Sequence, residues 1–91
     1  MSIALIQVQA LFVRCDMDQK YEKKIGNKIR SLRESRHLTQ EQMSAQMQTR
    51  GCDVTRSALA KIEVGQRHIY PDELKVIHEI LRVDYSDILD Q

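Results

Sequence analysis

Residues 38–67 read LTQEQMSAQMQTRGCDVTRSALAKIEVGQR, and the punctuation of that run divides it into two short helices and a turn. Thr39 is a good N-cap residue, and Gln42 three positions later completes a capping-box pattern. In that pattern each side chain satisfies a backbone N–H that the first helical turn leaves without a partner. Leu38, Met43 and Met47 supply the apolar contacts of this helix, with Ala45 as a small filler. The connection QTRGCD holds Gly51, the natural site for a positive φ. Thr55 is again of N-cap type, and Ala58, Leu59 and Ile62 form the inward stripe of the helix it opens. Gly65 stands where a helix ends in a left-handed turn.

Outward from this pair the pattern stays helical. Upstream, Ile25, Ile29 and Leu32 recur on one face of a helix over about Tyr21–Ser35, with Lys and Arg on the other face. Downstream, Pro71 fits the first turn of a fourth helix, which carries Leu74, Ile77 and Leu81 with Val76 and Ile80 beside them. A short fifth helix, Tyr85–Leu89, turns Ile88 and Leu89 inward. One Pro and three Gly in 91 residues argue against a turn-rich sandwich or barrel. The expected architecture is therefore all-α with five helices. Residues 20–91 form the domain and residues 1–19 an N-terminal extension.

The extension is a separate problem. Ile3–Val13 is apolar and rich in Ile and Val, and periodicity leaves a strand and a short helix both open. It lacks the basic start and the A-x-A site of a signal peptide, and no apolar run reaches the ~18 residues that span a membrane. Met17 opens MDQKYEKK, itself a workable protein start. An apolar strand left alone is an aggregation hazard, so a partner chain is a candidate to cover it.

The net charge is +1, but the distribution is uneven. Lys20–Arg36 holds seven basic and two acidic residues, and Asp72–Gln91 holds two basic and six acidic. The basic end can take phosphates or can be a solvated helix surface, and the acids of the last helices read as a solvated face. Cys15 and Cys52 lack metal-type spacing and make no disulfide framework, which points to a reduced cytoplasmic protein. Cys52 reads as a packed residue or a redox switch, and Cys15 is open to pairing across a dimer. His37, His68 and His78 have no ligand spacing, so no metal or other cofactor is expected. No Ser/His/Asp set, Gly-rich phosphate loop or paired carboxylates can be read, so an enzyme is not expected.

Two short helices joined by a turn, the second with exposed bases at its start, make the geometry that enters the DNA major groove. The N-terminus of such a helix also attracts phosphate. LTQEQMSAQM followed by VTRSALAKIEVGQR resembles the Cro/CI-type helix-turn-helix, or XRE, family over about Ile25–Leu89. The specific parts are the L-T-Q-E opening of the second helix and the S-x-L-x-K-I-E-x-G closing of the third. The resemblance implies a lambda-repressor-like DNA-binding domain. It implies that Gln40 and Thr55 contact phosphate, and that Arg56, Ser57 and Lys61 face base edges. It places Gln66 and Arg67 at the neighbouring backbone, and makes Arg33 and Glu63 an internal ion pair. The chemistry agrees, because Arg56 can donate twice to a guanine edge, worth ~1–3 kcal/mol of discrimination. The turn is about five residues longer than the short family turn, roughly QTRGC, a long-turn variant. The placement of Arg50 and Asp53 therefore does not follow from the resemblance, and Arg50 reads as solvated or as an added phosphate contact.

The function expected is a sequence-specific regulator of transcription, a repressor, binding a double-stranded DNA operator as a homodimer. Two other readings stay open. One is a protein-interaction module that has lost DNA binding, and the other is an antitoxin whose partner is a toxin.

Overall fold

The computed structural model describes residues 20–90. The expectations for residues 1–19, including the dimer contact and the pairing of Cys15, lie outside that range. Within it the chain is all-helical. Helix α1 covers residues 20–35, followed by α2 (Gln40–Thr49), α3 (Arg56–Glu63), α4 (Pro71–Leu81) and α5 (Tyr85–Leu89).

Helices α2 to α5 start where a side chain satisfies a backbone N–H that the first turn leaves free. Thr39 Oγ1 accepts from Gln42 N at 3.0 Å, and Gln42 Oε1 accepts from Thr39 N at 2.9 Å, the reciprocal box expected for α2. Thr55 Oγ1 accepts from Ala58 N at 3.1 Å and opens α3. Pro71 opens α4, and the Tyr70 and Asp84 N–H groups donate to Glu73 and Asp87 at the starts of α4 and α5.

The ends of α1 to α4 share one device, a residue in left-handed conformation that turns the chain while its neighbours bond back to the last carbonyls. Gly51 (φ 82°) and Gly65 (φ 80°) serve α2 and α3. Cys52 N then bonds Met47 O, and Gln66 N bonds Lys61 O, both at 2.9 Å. His37 (φ 59°) and Arg82 (φ 57°) do the same for α1 and α4 without a glycine.

The core is one cluster. Ile25 and Ile29 of α1, Met43 and Met47 of α2, Leu59 and Ile62 of α3, Ile77, Ile80 and Leu81 of α4, and Ile88 of α5 are buried. Cys52 and Val54 of the α2–α3 turn join them. Cys52 is buried beside Met47 because the residue after a left-handed terminator customarily packs back on its helix. Burial pushes its thiol pKa up, and the carboxylates of Glu73 and Asp72 push the same way, which makes it a poor nucleophile. Two expectations need correction. Ala45 is exposed and Ser44 is buried instead, because Ala45 lies about 200° round the helix from Met43 while Ser44 lies about 60° from Met47, beside the apolar stripe. Glu73, expected among solvated acids, is 6 % exposed, because Arg67 folds over it.

One contact fixes the approach of α1 to α3. A Cβ on Gly26 would run into the carbonyl oxygen of Ile62 and come within 2.7 Å of that of Glu63. Only a hydrogen side chain lets α1 lie on the end of α3. Arg36 then reaches from the end of α1 to donate to Leu81 O at 2.9 Å, and Tyr21 donates to Leu89 O at 2.7 Å.

Candidate nucleic-acid interface

Helix α3 has two faces of opposite chemistry. Leu59, Ile62 and Glu63 are buried, whereas Arg56, Ser57 and Lys61 are exposed. Those three side chains have no hydrogen-bond or ion-pair partner among the described residues. Arg56 and Ser57 occupy the first turn, beside N–H groups that the helix leaves without acceptors. Lys61 lies one turn or more along, so the exposed edge offers a planar fork, a hydroxyl and an ammonium. Those are donors matched to guanine edges and phosphate oxygens.

The long α2–α3 turn sets the direction of this helix. Val54 is fully buried, and its carbonyl accepts from Ser44 Oγ at 2.7 Å and from Gln48 Nε2 at 3.4 Å. The turn is thereby stitched to α2 immediately before Thr55. Arg50 leaves the turn toward Glu79, with Nη1 3.5 Å from Oε2 and both side chains roughly two-fifths exposed. Asp53 is exposed.

Glu63 organises the far end. It is 1 % exposed and accepts Arg33 Nε at 2.7 Å, Arg33 Nη2 at 3.1 Å and Gln40 Nε2 at 3.0 Å. Arg33 Nη1 donates to Leu38 O at 2.7 Å. A single carboxylate therefore ties α1, the start of α2 and the end of α3 together. A buried charge is tolerable only when paired and hydrogen-bonded in this way. Gln40, expected at a phosphate, spends its amide N–H on Glu63 while its backbone stays at the first turn of α2. That end of α2 opens into a shallow hollow lined by Arg30, Arg33, Glu34, His37, Leu38, Thr39 and Gln40.

Beyond α3 the two expected backbone contacts part ways. Gln66 is exposed. Arg67 is half-buried and closes a fork on Glu73, with Nη1–Oε1 and Nη2–Oε2 both 2.9 Å. Tyr70 N donates to Glu73 Oε1 at 3.1 Å, and the guanidinium carbon lies 5.7 Å from the Tyr70 ring centre. Burial raises the Glu73 pKa, but the hydrogen bonds from Arg67 and Tyr70 and the Arg67 charge outweigh it, and the net result is lowered. Nothing in the sequence flags this pair, because its six-residue separation spans a loop and matches neither a helical nor a strand period.

Among the described residues no group of three or more His, Cys, Asp or Glu side chains is placed to hold a metal ion. No helix there is long and apolar enough to cross a membrane. A family model described as helix-turn-helix matches residues 29–88, from the middle of α1 to α5. No curated protein and no solved structure matches the chain.

Proposed function

The chain belongs to the Cro/CI-type (XRE) helix-turn-helix family of DNA-binding transcription regulators, and on that premise we propose that it reads a specific duplex sequence in the major groove with α3. The observation that carries this is the division of α3. One face is locked into the core through Leu59, Ile62 and Glu63, and the other presents Arg56, Ser57 and Lys61 without internal partners. Arg56 donates to a guanine edge, Ser57 adapts to either base type, and Lys61 meets a guanine or a phosphate. Thr55 and Gln66 flank the groove at backbone phosphates, and the first turn of α2 at Gln40 holds a third.

One such domain makes few base contacts. A homodimer on two half-sites about 34 Å apart doubles them, which is the usual route to tight specific binding. The role assigned is that of a cytoplasmic repressor acting at an operator. Binding of duplex DNA across a salt series is the test. The chain binds more weakly as salt rises, with a slope set by the phosphates it neutralises. Arg56→Ala weakens specific binding by ~1–3 kcal/mol and relaxes base preference at one position of each half-site. Salt-insensitive or absent binding at low salt would leave an interaction module or a toxin-neutralising protein in its place.

A further inference from the structure

We propose that Arg67 and Glu73 are a positioning pair for DNA binding, fixing the loop after α3, and that Arg67 is not itself a phosphate contact; this rests on the DNA-binding reading above. A guanidinium has two paired N–H edges, Nη1/Nη2 and Nε/Nη2, and grips a phosphate or a carboxylate with either. In Arg67 the Nη1/Nη2 edge is closed on Glu73 at 2.9 Å twice, and Nη1 donates further to His68 O at 3.0 Å. The Glu73 side chain is 8 % exposed, so an outward swing of Arg67 strands a buried carboxylate.

The loop carrying Arg67 is pinned on its other side as well. A Cβ on Gly65 would lie 2.9 Å from Lys23 Cα, so the loop backbone sits directly on α1. His68 Nδ1 lies 2.5 Å from Glu22 Oε1. Residues 65–70 are therefore clamped between α1 and the first turn of α4, with the side chains of Gln66, His68 and Tyr70 exposed. Glu73 holds the α4 side of that clamp, and through it the direction in which Gln66 and the end of α3 meet the DNA backbone.

The two roles for Arg67 predict opposite signs for Glu73→Gln. If Arg67 leaves Glu73 to contact phosphate, removing the competing carboxylate frees it and tightens binding. If the pair positions the loop, binding weakens. The experiment uses the full chain and the duplex it selects from a random pool, with affinities read across a salt series and folding checked by circular dichroism. Glu73→Gln and Arg67→Gln each weaken binding several-fold, the double variant is no worse than either single one, and the salt slope stays unchanged. Arg67→Lys, which keeps the charge but not the fork, weakens binding in the same way and stands in if a glutamine variant unfolds. Tighter binding by Glu73→Gln, a slope reduced by about one in Arg67→Gln, or wild-type affinity in Arg67→Lys overturns the positioning role alone. An unmodified chain without salt-sensitive binding overturns the DNA reading and this inference with it.

Discussion

Glu63 and Glu73 are both buried carboxylates, and each is held by an arginine fork plus one further donor. Removing the first strands Arg33, whose side chain is 9 % exposed. Glu63→Ala should therefore cost about 3–5 kcal/mol, most of the stability of a domain this small. Loss of the exposed partner in Glu79→Ala should cost no more than about 1 kcal/mol. Thermal melts of the two variants check the contrast, and equal midpoints would refute the buried pair's role. Glu73 makes a pH prediction. Its folded pKa lies below the ordinary 4.5, so its contribution is complete above the unfolded value and is lost as pH falls through the lowered one. Denaturant melts between about pH 5 and pH 3 should show the unmodified chain losing stability faster than Glu73→Gln. Parallel loss in the two would remove Glu73 from the acid response. The two pairs were not equally legible. Arg33–Glu63 follows from the family resemblance, whereas Glu73 sits in a run of acids whose plain reading is a wet surface.

The helices themselves were the most readable level. Thr39, Thr55, Pro71, Gly51 and Gly65 each carry a local chemical reason to start or stop a helix, and each takes that part in the fold. What local chemistry does not signal are the ends of α1 and α4, where His37 and Arg82 adopt the left-handed turn that glycine usually supplies. There the burial of Leu38 and Val83 against the core drives the turn, and burial is a tertiary fact. Gly26 is hidden for the same reason, since a mid-helix glycine reads as a mild defect until α3 is seen against it. Gly26→Ala would gain about 1 kcal/mol from helix propensity alone. The Ile62 and Glu63 carbonyls turn that gain into a net loss of roughly 1–3 kcal/mol through overpacking. A raised melting temperature in Gly26→Ala would mean that α1 and α3 do not approach so closely.

At the scale of the molecule, the five helices of the described residues bury one shared core and leave one half of α3 outside it. The side chains that fold the protein and those assigned to DNA lie on opposite faces of that single helix. A change at Arg56 should therefore alter selectivity without altering stability, and a change at Glu63 the reverse. The long turn is accommodated because Ser44 and Gln48 hold its last carbonyl to α2, so the extra residues do not loosen the entry into α3. Charge distribution was legible only in part. The basic run Lys20–Arg36 includes Arg33 and Arg36, which are spent on internal acceptors, so a count of bases overstates what is offered to phosphate.

Selection of bound duplexes from a random-sequence pool tests the central assignment most directly. The unmodified chain should enrich a two-fold symmetric site with half-sites about one helical turn apart, and Arg56→Ala should lose preference at one symmetry-related pair of positions. Recovery of an unenriched pool, or the same enriched site with Arg56→Ala, would contradict the reading of α3 as the helix that enters the groove.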